Sequence, residues 1–273
     1  MRKLWQAWLR AYRAQKGLTI TYLVLRALAL LVAIASVWLG NYENALTCLL
    51  ALLMFMLPLI AEKTLRIEIP SPLEITILAM IFGALVLGEV SSYYVRVPHW
   101  DSLLHAINGF ICAAIGYSLL DIMNRTKSFS MQVSTLYMAI MAFCFSMTIG
   151  VLWEFFEFTV DYFFQKDMQK DTVLNAIHTV SLDPENLNRV FSIRGIEEVF
   201  INGEPLGLGG YLDIGLYDTM KDLFTNCIGA LAFSVVGYHY GRAPVPPRIV
   251  SGFIPYAVKD TCEVPKPRDD SAK

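Results

Sequence analysis

Apolar residues are concentrated in six stretches that are each long enough, or nearly so, to cross a bilayer. They cover about residues 18–39, 44–61, 73–95, 101–122, 134–158 and 219–240. A helix needs about 20 mainly apolar residues to cross the hydrocarbon layer. Backbone amides in that layer must find their partners within the segment, so each stretch is expected to be helical. The pattern therefore predicts an all-α, polytopic integral membrane bundle of about six transmembrane helices.

The composition agrees with a membrane protein. Hydrophobic residues make up 55% of the 273 residues, and charged residues only 17%. That balance is unusual for a soluble domain. The net charge of −2 provides no basic surface, which argues against a nucleic-acid partner. Membrane lipid is the expected partner, and the oligomeric state is left open.

Basic residues near the N-terminus indicate the orientation. Residues 1–17 contain five basic side chains and no acid, and their apolar residues recur at helical spacing. An amphipathic basic segment of this kind lies on the membrane surface, and the positive-inside rule places it in the cytoplasm. With six spans, both termini are then cytoplasmic and the protein is a multi-pass protein of the cell membrane.

The predicted organisation follows from these spans. It comprises a cytoplasmic amphipathic basic head at 1–17, five transmembrane spans at 18–164, an extracytoplasmic insertion at 165–217, a sixth span at 218–241 and a cytoplasmic Pro-rich tail at 242–273. A connection as long as the insertion is usually functional or disordered. Its Asn202-Gly203 pair favours a short hairpin turn.

Each of the last three spans carries three polar residues on one helical face near its outer end. They are Asp101, His105 and Asn108 on the fourth span, Glu154, Glu157 and Asp161 on the fifth, and Asp218, Asp222 and Asn226 on the sixth. Spacings of three, four, seven or eight residues keep side chains on one side of a helix. Glu89 stands near the outer end of the third span. The predicted orientation brings all these residues to one depth.

A simpler interpretation is that these acids lie in interfacial water, where a charge costs far less than at the bilayer centre. On the fifth span, however, Phe155, Phe156 and Phe158 keep the other faces apolar as far as Glu157 and beyond. The helix therefore continues with acids on one side only. Because three spans repeat the pattern, we predict a shared polar site.

The chemistry of the site follows from its carboxylates, which cannot all stay ionised when they are close together. Protons would neutralise them in a proton relay, whereas a cation would neutralise them in a metal site. Oxygen ligands with one imidazole suit a divalent metal ion, and the pattern does not distinguish Zn²⁺, Mn²⁺, Fe²⁺ or Mg²⁺. The predicted metal ligands are Asp101, His105, Glu157 and Asp222.

The remaining polar residues receive supporting roles. Glu154 or Asp218 is the predicted general base for a water activated by the metal. The residues expected to hydrogen-bond the ligands or to bind substrate are Asn108, Asp161, Asn226 and Glu89.

Three segments resemble a known group of proteins. They are Asp101-Ser-Leu-Leu-His105, the span ending in Glu154 and Glu157, and the tract GYLDIGLYDTMKDLFTNCIGA at 210–230. They resemble the VanZ-like membrane proteins and the related YjdF-type family of bacterial multi-pass membrane proteins. The resemblance covers about the second half of the chain. It implies a bacterial or archaeal cell-membrane protein with a polar site.

Three functions are compatible with these features. The leading hypothesis is a metal-dependent hydrolase or transferase acting on a lipid headgroup or a lipid-linked substrate at the outer leaflet. An ion- or proton-coupled transporter is the alternative, although such a site usually lies near the midplane with polar residues toward both sides. A non-catalytic membrane scaffold or lipid-binding protein is the third hypothesis.

Overall fold

A computed structural model describes residues 15–125, 133–244 and 247–257 of the protein. Within these residues, five helical segments are long and apolar enough to cross a membrane. They are Lys16–Trp38, Tyr42–Leu65, Ser71–Val90, Trp100–Asn124 and Thr135–Phe164. The prediction of a polytopic helical membrane protein is therefore confirmed.

The first half of the fold consists of short and long helices around one small core. The elements are α1 (Lys16–Trp38), α2 (Tyr42–Met54), α3 (Leu57–Leu65), α4 (Ser71–Phe82), a π-helix (Gly83–Val90) and α5 (Tyr93–Arg96). Helices α2 and α3 together form the second span. Helix α3 begins at Leu57 with Pro58 in its first turn, where the missing amide donor is tolerated. Helix α4 continues directly into the π-helix to complete the third span.

The second half is a tight three-helix unit. It contains α6 (Trp100–Arg125), α7 (Thr135–Phe164) and α8 (Leu216–Arg242), followed by the short α9 (Arg248–Ser251). The three long helices pack against one another around buried Tyr117, Met138 and Phe233. The predicted sixth span, 219–240, lies within α8. This helix has 27 residues, but charged side chains in its first turns make it the least apolar of the long helices.

Glycines allow two of these helices to approach very closely. A Cβ atom at Gly229 of α8 would overlap the carbonyl oxygen of Ala106 on α6, and one at Gly109 of α6 would overlap the carbonyl oxygen of Asn226. Small residues at such positions bring helix backbones together in membranes. Away from this crossing point, His105 contacts Asp222 and Tyr117 contacts Tyr240, so the contact positions rise together along both helices and α6 and α8 run parallel. Helix α7 is antiparallel to them, because its Glu154 lies near His105 and its Ser146 near Gly109.

The segment between α7 and α8 forms small antiparallel strand pairs. The strands are β2 (Thr172–Leu174), β3 (Ala176–Thr179), β4 (Phe191–Arg194), β5 (Phe200–Ile201), β6 (Glu204–Pro205) and β7 (Tyr211–Asp213). Strand β2 pairs with β7, β3 with β4 and β5 with β6. Asn202 and Gly203 connect β5 to β6 with φ angles of 53° and 89°. Because positive φ at both positions suits a tight hairpin turn, the predicted hairpin is confirmed.

A carboxylate anchors one loop of this insertion. Asp183 accepts hydrogen bonds from the backbone amides of Glu185, Leu187 and Arg189 at 3.2, 2.7 and 3.1 Å. Hydrogen bonds to the ionised form stabilise it. They hold the pKa of the Asp183 carboxyl below its usual range.

The end of the bundle opposite the insertion has one more strand pair, formed by β1 (Ile67–Glu68) and β8 (Tyr256–Ala257). Residues 1–14 of the predicted basic head lie outside the described residues, as do 245–246 and 258–273 of the predicted tail. The predicted domain boundaries and the cytoplasmic position of the termini stay predictions.

The contact between α6 and α8 yields a first testable prediction. We expect Gly229→Ala to destabilise the protein by about 3 kcal/mol, at the upper end for overpacking, because the new methyl group meets backbone that cannot rotate away. Thermal unfolding in detergent, followed by size-exclusion chromatography, measures the effect. Gly17→Ala in α1 is the control, since a Cβ there meets nothing within 4 Å. Equal melting temperatures for the two variants would contradict the close packing.

Candidate metal centre

Asp101, His105 and Asp222 form the centre of the site. The first two stand one turn apart at the start of α6, and Asp222 lies in the second turn of α8. One ligand atom of each residue lies within 4.8 Å of those of the other two. His105 Nε2 is 3.6 Å from Asp101 Oδ1 and 3.8 Å from Asp222 Oδ2. A cation about 2.1 Å from its ligands separates neighbouring ligand atoms by about 3 to 3.5 Å, so small side-chain adjustments would bring these three atoms to ligand separations.

Two buried carboxylates beside this centre have unsatisfied oxygens. Asp222 is 1% exposed and Glu154 is 4% exposed. Among the described residues, no donor lies within ordinary hydrogen-bond distance of either oxygen of these two groups. Lys221 Nζ is 3.9 Å from Asp222 Oδ1, and the side chains of Thr219 and Gln169 lie near Glu154. A buried carboxylate without a close hydrogen bond carries a large desolvation cost. A cation or a proton at the site would remove that cost.

The imidazole of His105 has carboxylates on both sides. While its Nε2 faces Asp101 and Asp222, its Nδ1 lies 3.9 Å from Glu154 Oε1. Metal-ligating histidines typically direct the second ring nitrogen to a carboxylate, which fixes the tautomer and the ring orientation. The 3.9 Å separation is longer than a hydrogen bond, and a small side-chain adjustment would let Glu154 position His105 in this way. Its predicted role as general base has less support from this placement.

Glu157 lies next to the centre but faces a cavity. It is 8% exposed, and Trp153 Nε1 donates a hydrogen bond of 2.9 Å to its Oε1. The cavity has a volume of about 330 Å³, and Asp101, His105 and Glu157 form its polar lining. The remaining wall is mostly apolar and consists of Met80, Ala84, Tyr94, Leu104, Asn108, Ile149, Leu152 and Trp153. Glu157 is therefore accessible to a molecule in the cavity.

Asp218 already accepts hydrogen bonds from a lysine side chain and from a backbone amide. Its Oδ1 lies 2.5 Å from Lys221 Nζ, and its Oδ2 accepts the backbone amide of Lys170 at 2.8 Å. The side chain is buried, at 4% exposure. These contacts favour a structural role over proton transfer.

Asp161 holds the chain where it leaves α7. Its two oxygens accept the backbone amides of Met168 and Gln169 at 2.6 and 2.8 Å. The side-chain amide of Gln169 in turn donates to Thr219 on α8 at 2.6 Å. We name residues 165–171 the strap, because these bonds fasten the segment to both α7 and α8 on the insertion side of the cluster.

The other predicted residues lie around the centre rather than within it. Asn226 is fully buried and its Nδ2 donates to the Ser146 carbonyl of α7 at 3.4 Å. Asn108 lines the cavity and accepts a weak hydrogen bond of 3.5 Å from Cys112 Sγ. Glu89 is exposed at the end of the π-helix.

Sequence reasoning missed several residues that support the site. Lys221 follows Asp218 by three positions, and Trp153 precedes Glu157 by four, so helical spacing contained both signals. Tyr94, which lines the cavity, comes from another element. The backbone amide of Lys170 contacts Asp218 only because the strap folds back over α8, and no local sequence pattern indicates that course of the chain.

The helices and the buried carboxylates define a polytopic helical membrane protein with a buried polar cluster. Residues 20–243 match the family described as "Predicted membrane protein (DUF2238)", and the chain belongs to this family. A relative from Thermotoga maritima, named "Uncharacterized protein", is 27% identical over 174 residues, which cover 62% of this chain and 80% of that protein. No solved structure matches the chain.

The strap provides a prediction for this site. We expect Asp161→Ala to accelerate hydrogen exchange at the amides of Met168 and Gln169 by at least about tenfold, because hydrogen bonds to a charged acceptor contribute about 1.5 to 3 kcal/mol each. Hydrogen–deuterium exchange with mass spectrometry measures this. Asp167→Ala is the control, since Asp167 is 63% exposed and contacts only Lys170 among its described partners. Unchanged exchange in Asp161→Ala would show that other contacts hold the strap.

Proposed function

We propose that Asp101, His105 and Asp222 bind a divalent metal ion and that the protein is a metal-dependent hydrolase or transferase for a lipid headgroup or lipid-linked substrate. One observation carries this proposal: three potential ligand atoms converge within 4.8 Å beside buried carboxylates that have no hydrogen-bond donor among the described residues. Ionisable residues inside membrane bundles generally mark function.

The proposed site has three direct metal ligands and one further residue that orients a ligand. Asp101 and Asp222 would supply carboxylate oxygens, and His105 would supply Nε2, while Glu154 at Nδ1 would hold the ring in place. This set suits Zn²⁺, Mn²⁺ and Fe²⁺, and with added water ligands also Mg²⁺. A divalent ion bound there would act as a Lewis acid toward an ester or phosphoryl oxygen.

Glu157 is the side chain best placed to transfer a proton. The hydrogen bond from Trp153 occupies its Oε1 and leaves Oε2 free for a proton. In hydrolysis, water would lose a proton to Glu157 as its oxygen bonds to the ester carbon or phosphorus. The bond to the leaving alcohol would break, and the alcohol oxygen would take that proton back from Glu157. In transfer, a hydroxyl of the acceptor replaces water.

The membrane face of the site follows from the positive-inside argument, which puts the insertion and the cluster on the outer side. The VanZ-like and YjdF-type resemblance of residues 101–105 and 210–230 supports a cell-membrane location. The substrate would then reach the cluster from the outer leaflet.

Metal content tests the ligand set. We expect the purified protein to retain about one divalent ion per chain after dialysis, with His105→Ala and Asp222→Asn losing most of it. Glu154→Gln should weaken the affinity by about 10- to 100-fold, the usual effect of removing a residue that orients a ligand. Elemental analysis by mass spectrometry gives the content.

Glu43→Gln is the matched control, because Glu43 is exposed and pairs only with Lys166 at 3.9 Å among its described partners. Wild-type protein that binds no divalent ion, even when titrated with Zn²⁺, Mn²⁺, Fe²⁺ and Mg²⁺, would refute the metal site.

The buried charge of Asp222 gives an independent prediction for metal-free protein. Asp222→Asn should raise the melting temperature in the presence of a chelator, because a carboxylate that has no hydrogen-bond donor, and whose nearest cationic group is Lys221 Nζ at 3.9 Å, no longer has to be buried. The same substitution should abolish the stabilisation that added metal gives the wild type. A lower melting temperature for Asp222→Asn under both conditions would instead indicate a purely structural role.

Lipid analysis tests the reaction. Cells producing the wild type should differ from cells lacking the protein in at least one lipid species, and Glu157→Gln should reduce the rate of that conversion by about 10²- to 10⁴-fold, as expected for a lost general base. Lipid mass spectrometry and ion uptake by reconstituted vesicles are measured together. Unchanged lipids with uptake that depends on Glu157 would favour the transporter hypothesis over the enzyme.

A further inference from the structure

The cavity beside the cluster changes from charged to uncharged along its length. On α6 its lining passes from Asp101 and His105 to the uncharged amide of Asn108, two helical turns beyond Asp101. On α7 it passes from Glu157 through Leu152 to the apolar Ile149. Because α6 and α7 are antiparallel, Asn108 and Ile149 lie at the same end. The charged end faces the insertion, and the uncharged, mostly apolar end faces the interior of the bundle.

The cavity also opens toward the side of the bundle. Leu152 and Trp153 line it, yet they remain 54% and 44% exposed. Their neighbours Phe155 and Phe156 on α7 are 63% and 50% exposed. This helix is one of the five membrane-spanning segments, so its exposed apolar surface meets hydrocarbon. A molecule in the bilayer therefore has a lateral path to the cavity.

The π-helix supplies the opposite wall. Gly83 lies against Leu104 and Trp100 on α6, and its carbonyl oxygen accepts a hydrogen bond of 3.1 Å from Trp100 Nε1. The next residue, Ala84, lines the cavity with only a methyl group. Wide π-turns are frequent at functional sites. Here the turn and the small side chain leave space next to the carboxylates.

We propose that this cavity binds the first segment of the apolar chain of one membrane lipid, with the ester-linked headgroup at Asp101, His105 and Glu157. The lining changes from charged residues at one end to mostly apolar residues at the other, just as such a lipid changes from a polar headgroup to an apolar chain. The cavity volume is about 330 Å³. Because that value is at the lower end for ligand pockets, the site holds the part of the chain next to the headgroup, and the rest of the chain stays in the bilayer.

The proposal deepens the proposed function, since it specifies the substrate class of the same site, and it rests on that function only for the chemistry at the headgroup. Binding of the chain depends on the apolar wall and not on the metal. The two ideas therefore fail separately.

Photolabelling tests the chain site. Two probes carry a diazirine within the first few carbons of the chain: an alkyl phosphate and an alkyl carboxylic ester. In wild-type protein in nanodiscs, we expect one or both probes to label the peptide containing Ile149 and Leu152 and the peptide containing Ala84. Excess unlabelled lipid of the same class should suppress this labelling. The probe that labels identifies a phosphate or a carboxylic ester as the headgroup linkage.

Filling the cavity should remove the signal. Ala84→Phe is expected to reduce cavity labelling by at least about tenfold, the change that corresponds to about 1.4 kcal/mol of binding free energy. Ile149→Phe fills the space from the opposite wall and serves as a second variant if Ala84→Phe does not fold. Ala79→Phe is the matched control, because Ala79 lies on the same span and is exposed, outside the cavity lining.

Asp222→Asn separates the two proposals. If Asp222→Asn loses the metal but its cavity is still labelled, both proposals are supported. If the cavity of the wild type is labelled but the wild type binds no metal, the chain site is supported and the metal site is refuted. Labelling that is spread evenly over exposed apolar surfaces, that is unaffected by Ala84→Phe and Ile149→Phe, or that is replaced by a crosslink to a second copy of the chain would overturn the chain site.

Discussion

The structure of the site depends on the contact between α6 and α8. Gly229 against Ala106, and Gly109 against Asn226, let the two backbones approach more closely than any side chain would permit. Parallel helices at this separation bring His105 and Asp222 into one cluster. Helix α7 then completes the unit through Ser146, whose hydroxyl donates to the Gly109 carbonyl at 2.8 Å. A polar cluster of this kind requires rigid neighbours, because its groups are unsatisfied without an exact arrangement.

The same packing buries carboxylates whose negative charge has to be neutralised. Asp222 and Glu154 are almost completely buried and have no described hydrogen-bond donor, whereas nearby Asp218 and Asp161 are satisfied by Lys221 and by the amides of the strap. The contrast separates two kinds of acid within one layer. The satisfied acids hold the insertion onto α7 and α8, and the unsatisfied ones lie where a cation or a proton would be stabilised. The apolar cavity adjoins the second kind.

Much of the architecture could be predicted from hydrophobic periodicity, since a bilayer requires long apolar helices whatever their packing. The spacing of Asp101 and His105 placed both on one face, and the Asn202-Gly203 hairpin followed from local backbone preferences. The roles within the cluster were harder to predict. Glu154, Glu157 and Asp161 share one stripe of α7, yet they contact the imidazole, the cavity and the strap respectively. Because the stripe extends over two helical turns, its residues meet different neighbours. The rotation of α7 about its own axis decides which residue faces which neighbour.

By itself, the sequence determined that the protein is a helical membrane protein whose last three long helices each present acids on one side, because these properties depend on residue order and on the helical period alone. Only the tertiary structure decided which of these acids meet, how the strap satisfies two of them and that a cavity lies beside His105. Those features depend on how closely α6 and α8 approach, on the π-turn at Gly83 and on the path of residues 165–171. They arise between elements distant in the chain, where local patterns contain no information about relative position.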